Sequence, residues 1–194
     1  SVMGINSVIY LNGALSGSIN AVADAAKGTD ASAVGTVGFS GIAAISDVFK
    51  LNVAAKAGSR AAMATGGYGA ISVAGVFSGS IVVSADAVNG TSAEAVSFDY
   101  MSSTDRFSDK FVLSVTAKAG SQHASAVGVS SSLEATGLIS GNIAILADAA
   151  KGTGASSRLV NSSIIAGGGL SDKLKVAVTA NAGTSDAEIG RAHV

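Results

Sequence analysis

Residues 78–96 run Ser78-Gly79-Ser80-Ile81-Val82-Val83-Ser84-Ala85-Asp86-Ala87-Val88-Asn89-Gly90-Thr91-Ser92-Ala93-Glu94-Ala95-Val96, and this stretch decides the fold. Its opening phrase stands 62 residues earlier as Ser16-Gly17-Ser18-Ile19 and returns 62 residues later as Ser140-Gly141-Asn142-Ile143. Midway between these copies lie Ser46-Asp47-Val48-Phe49, Ser108-Asp109-Lys110-Phe111 and Ser171-Asp172-Lys173-Leu174, at steps of 62 and 63. The unit is therefore a half-period of about 31 residues in two alternating flavours, the mark of a solenoid or array.

Within the unit, Ile81, Val83, Ala85 and Ala87 share one parity, and a period of two is that of a strand. The stripe recurs as Ile19-Ala21-Ala23-Ala25, Phe49-Leu51-Val53-Ala55-Ala57, Phe111-Leu113-Val115-Ala117-Ala119, Ile143-Ile145-Ala147-Ala149 and Leu174-Val176-Val178-Ala180-Ala182. Alanine is the best helix former, so Ala21 to Lys27 also admits a helix. Val, Ile and Thr hold the equivalent places in sister copies, which favours the strand.

Each stripe ends in a glycine followed by a hydroxyl residue: Gly28-Thr29, Gly58-Ser59, Gly90-Thr91, Gly120-Ser121, Gly152-Thr153 and Gly183-Thr184. Such pairs are turn chemistry. A second alternating segment follows, as in Ala31-Ser32-Ala33-Val34-Gly35 and Ala124-Ser125-Ala126-Val127-Gly128, then a shorter one carrying Ile71 and Val73 or Leu133 and Ala135. Strand, turn, strand, turn, strand in about 31 residues is one rung. The expected fold is all-β, a right-handed parallel β-solenoid (β-helix) of about six rungs in a 62-residue double repeat, forming one domain over residues 1–187. Stacking at about 4.8 Å places equivalent residues above one another.

The outward parity carries Asp24, Asp86 and Asp148 in one flavour and, two positions further along, Lys56, Lys118 and Asn181 in the other. This offset predicts lysines set diagonally between aspartates two rungs apart, as a register device.

Composition agrees and excludes other classes. The 194 residues are 48% hydrophobic, mostly Ala, Val and Ile, with 25 Gly and no Pro or Trp, which points to a thin, closely stacked interior. A net charge of −1 with 13% charged residues offers no basic face, so no nucleic-acid partner is expected. The absence of cysteine removes disulfides, thiolate catalysis and structural zinc together. No apolar run is long enough for a spanning helix. The last seven residues, Glu188-Ile189-Gly190-Arg191-Ala192-His193-Val194, fit no repeat position and look like a translated sequencing adapter. Residues 188–194 are expected to be a non-native tail on an open-ended fragment of a longer environmental gene.

Chemistry-bearing constellations are sparse. His123 and His193 are the two histidines, so a Ser/His/Asp triad or a His-based metal site lacks parts. Gly66-Gly67 and Gly167-Gly168-Gly169 lack the aspartates of a calcium-binding β-roll. No catalytic residue, metal or cofactor is predicted. The one cluster of interest is Asp99, Tyr100, Asp105, Arg106 and Asp109, with Phe98 beside it, in the least repeat-like connection. If this connection bulges from the rung, Phe98, Asp99, Tyr100, Asp105 and Arg106 are candidate glycan contacts, with aromatic faces for stacking. The blander reading is a tolerated surface insertion. Asn89-Gly90-Thr91 and Asn161-Ser162-Ser163 match the N-glycosylation acceptor pattern, a match that would mean nothing if the protein were bacterial. The Ser/Thr column after each turn glycine is single and mixed, which suits a turn ladder better than an ice-binding array.

The phrases Ser-Gly-Ser-Ile, alternating Val/Ala and Gly-Thr-x-Ala-x-Ala-Val at 16–34 and 78–96 resemble repeats in passenger regions of bacterial autotransporters and related large surface adhesins. The resemblance implies a secreted β-helix held at the outer surface by a C-terminal barrel, acting as stalk, adhesin or display platform. The expected location is extracellular, at the bacterial cell surface, with membrane attachment only through a barrel that this sequence does not contain. Expected partners are host or matrix glycans or surface proteins. The alternative is a polysaccharide-active β-helix enzyme, a lyase or hydrolase, or a glycan-binding module, and a membrane β-barrel is disfavoured by 5% aromatics. Uncovered terminal rungs predict edge-to-edge self-association.

Overall fold

A computed structural model describes residues 1–160, 162–184 and 187–190, all in strands, turns and irregular segments. The chain coils into a parallel β-solenoid of about six turns spaced by about 31 residues. Its first face is a six-stranded sheet of Ser18–Ala25, Lys50–Ala57, Ser80–Ala87, Val112–Ala119, Asn142–Ala149 and Lys175–Ala182, each beside the next. The second face stacks Ala61–Gly67, Ser92–Phe98, His123–Val129, Gly154–Val160 and Ala187–Gly190. The third stacks Ala70–Val73, Tyr100–Ser103, Ser132–Ala135 and Ser163–Ala166. The long strand Ala31–Ile42 runs along both of these faces, and Val2–Tyr10 pairs beside it as the first layer. Between third and first faces, single bridges join Ile45, Phe77, Phe107, Ile139 and Leu170 into a fourth column.

Parity sets the core. On the first face Ile19, Leu51, Ile81, Leu113, Ile143 and Val176 lie in one line, and Ala23, Ala55, Ala85, Ala117, Ala147 and Ala180 in another. Large residues thus begin each strand and alanines end it. All six phenylalanines, at 39, 49, 77, 98, 107 and 111, are fully buried. Phe77, Phe107 and Phe111 cluster with ring centroids 4.9–5.2 Å apart, an arrangement that adds to simple area burial.

The turns need glycine because the rungs approach closely there. A Cβ on Gly120 would lie 2.6 Å from the Gly90 carbonyl oxygen and would also strike that of Val88. The following hydroxyls point back along the stack. Ser59, Thr91, Ser121, Thr153 and Thr184 donate to the carbonyls of Gly28, Arg60, Gly90, Gln122 and Gly152, at 3.3, 3.1, 3.3, 3.5 and 3.1 Å.

The diagonal placement of charges is corrected. Asp24, Lys56, Asp86, Lys118, Asp148 and Asn181 stand directly opposite one another in a single column. The Ser-Asp-x-Phe flavour closes a turn, with Phe49 N donating to Ser46 O at 3.1 Å, that the Ser-Gly-Ser flavour lacks. This turn absorbs the two extra positions before its strand begins, so the strands regain alignment.

Residues 187–190 continue the second face, with Ala187 over Ala155 and Glu188 over Ser156. Glu188 forms a 3.2 Å ion pair with Arg158. Arg191, Ala192, His193 and Val194 of the expected tail, and Asn161 of the second acceptor pattern, lie outside the described residues.

Candidate functional site

The segment 98–109 does not bulge. Tyr100–Ser103 pairs in register with Ala70–Val73 on one side and with residues 133–135 on the other. Phe107 then takes its place in the fourth column. Its irregular sequence reflects the corners it turns rather than an insertion.

The side chains predicted to act together are accordingly spread around the rung. Phe98 is a correction: it ends its strand pointing inward and packs 6.0 Å from Phe39, so it offers no stacking face. Both Ser97 and Phe98 are buried because the chain turns a corner there and the strict alternation breaks. Asp99 is exposed at that corner. Asp105 and Arg106 form a loose 3.7 Å ion pair at the next corner, both about half exposed. Asp109 lies further round still and pairs with Lys173 at 3.4 Å. His123 is exposed at the start of its strand, as is Asn89 in its turn.

No family model, curated protein or solved structure matches the chain.

Tyr100 has the partner that the sequence did not announce. Its hydroxyl donates to Glu134 Oε2 at 2.7 Å, while Ser132 donates to Oε1 of the same carboxylate at 2.8 Å. The hydrogen bond to Glu134, then partial burial, raises the Tyr100 pKa above the ordinary phenol value, so the hydroxyl stays a donor. Glu134 stands beside Ser102 in the register, hence diagonal to Tyr100. Aligning the copies at one rung would have shown this neighbour; the two residues are 34 apart, which no local motif spans.

A second arrangement joins corners two rungs apart. Along the fourth column Lys110 pairs with Asp47, and Lys173 with Asp109. Shallow depressions of about 360 and 270 Å³ flank this ladder, lined among others by Ser78, Arg106 and Ser108 in the first and Leu138 and Ser140 in the second. Among the described residues, no group of three or more His, Asp or Glu side chains could hold a metal ion.

Proposed function

We propose that the chain is a non-catalytic stalk or adhesive segment of an exported bacterial surface protein, of the autotransporter-passenger or large-adhesin kind. The observation that carries this reading is the dispersal of Asp99, Asp105 and Asp109 to separate places on an uninterrupted stack, the latter two each paired to a cation. Hydrolysis of a glycosidic bond typically uses two carboxylates flanking that bond, and a lyase likewise needs its base and its uronate-neutralising group to converge on one sugar. Outward polar groups here instead tie rung to rung, as a stalk requires. The exposed residues between the ladders supply surface for partners, whether glycans or surface proteins.

The test is to place residues 1–187 between an export signal and an outer-membrane barrel in a bacterium and to measure surface exposure and adherence to glycan-coated and cell-coated plates. Surface display with adherence above the barrel alone is expected. Failure to reach the surface, or depolymerisation of a polysaccharide by the purified chain, would overturn the reading.

A further inference from the structure

The aromatic residues sort by side of the wall. All phenylalanines are in the core, whereas Tyr10 and Tyr68 are well exposed and Tyr100 is half-buried. The three tyrosines fall on one side: Tyr10 beside Ser40 leading into the third face, Tyr68 at the corner before Ala70–Val73, and Tyr100 on the face itself. Beside Tyr100 lies a cleft of about 400 Å³ lined by Ser102, Thr104, Glu134, Thr136 and Ile165. It is an open surface cleft rather than an enclosed pocket.

We propose that this cleft binds an uncharged sugar ring, so that the adhesive surface recognises neutral glycans. The inference rests on the adhesive reading above and names its ligand. An ionised carboxylate has about four lone-pair positions, and the hydroxyls of Tyr100 and Ser132 occupy two on Glu134. The pair fixes the carboxylate and leaves acceptor capacity for the hydroxyls of a ligand, as charge-assisted bonds. Among the described residues no Lys or Arg pairs with Glu134. A uronic acid or other anion would meet this carboxylate uncompensated, whereas a neutral ring would not. The Tyr100 ring and Ile165, which is 51% exposed, supply apolar contact for the C–H face of a sugar. Thr104 donates its hydroxyl to Ala74 O and Ser102 donates to Ser72, so their outward oxygens remain acceptors.

The experiment titrates the full chain with cellotriose, maltotriose and trigalacturonate, following backbone amide shifts and tyrosine fluorescence, which no tryptophan obscures. A neutral trisaccharide is expected to shift residues 100–104 and 132–136. Glu134→Gln and Tyr100→Phe, each shown by circular dichroism to keep the parent fold, are expected to weaken it about tenfold, the scale of one charge-assisted hydrogen bond. Lys118→Gln, on the first face, is expected to change nothing. Preference for trigalacturonate, or neutral binding that ignores both cleft variants, overturns the site while glycan adhesion stands. Absence of binding by all three sugars overturns the site, and the plate adherence of the displayed chain then decides separately whether adhesion fails with it.

Discussion

Lys110 ion-pairs with Asp47, 63 residues before it, passing over the rung between them. Lys173 repeats the relationship with Asp109, 64 residues before it. The intervening rung presents Ser78-Gly79-Ser80 at this corner, small residues that leave the path clear. Two rungs are about 10 Å, within the combined reach of a lysine and an aspartate. The doubling of the period to 62 residues thus has a physical counterpart: a charged corner and a small corner must alternate for the ladder to form.

The Lys110 hydrogen bond holds the Asp47 carboxyl below its ordinary pKa, and Asp47 holds Lys110 above its own. A depressed carboxyl contributes stability above its unfolded pKa and loses it as pH falls through the folded one. Lys110→Met should therefore return the Asp47 titration upward. Because both groups are solvent-exposed, the melting temperature should barely move. Carboxyl-carbon NMR titration checks the first point, and an unmoved Asp47 would mean the pair does not form in solution.

Val115 is fully buried between Val83 and Ile145 of the neighbouring rungs. Val115→Asp places an unpaired charge there, at a cost of several kcal/mol, and should unfold or aggregate the chain. Lys118→Gln, three residues along the same strand, points outward and should stay within about 0.5 kcal/mol of the parent. Urea titration followed by circular dichroism separates the two, and equal behaviour would show that the faces are wrongly assigned.

Gly120→Ala drives a methyl group into the backbone of the preceding turn, where relief requires the rungs to part. Overpacking of this kind costs about 1–3 kcal/mol. Gly13→Ala meets nothing within 4 Å and should be tolerated. Comparable thermal midpoints for the two variants would remove the steric account of the turn-glycine column.

Tyr100 titrates above its ordinary value, so its contribution to stability is whole below the unfolded phenol pKa of about 10 and is lost as pH rises through the folded one. Glu134→Gln should bring the Tyr100 titration down toward the ordinary value, visible in the ultraviolet absorbance of tyrosinate. Tyr100→Phe should flatten the alkaline loss of stability. An absorbance titration identical in parent and Glu134→Gln would contradict the 2.7 Å bond.

The strand stripes, turn glycines and rung length were legible because parity and turn chemistry are local properties of the chain. Val115 and Ala117 declare their direction through their immediate neighbours. The charge column was misplaced by two positions because alignment between rungs depends on how a turn such as Ser46 to Phe49 consumes residues. Phe98 was misassigned because alternation stops at a corner, where two successive side chains go inward. Glu134 and the Lys110–Asp47 pair went unseen for a third reason. Long side chains meet diagonally or across a rung, at separations of 34 and 63 residues, set by the coil as a whole.

The parallel strands bond only to the rungs before and after them, so the backbone hydrogen bonds run along the axis of the coil. A force applied along that axis loads the interfaces between rungs in series, with the bonds of each interface side by side, so that interfaces open one at a time. Each released rung of about 31 residues would pay out about 10 nm of chain at 3.3–3.6 Å per residue. The stack would then behave as an extensible tether, absorbing mechanical work in equal steps while the rungs still wound remain intact.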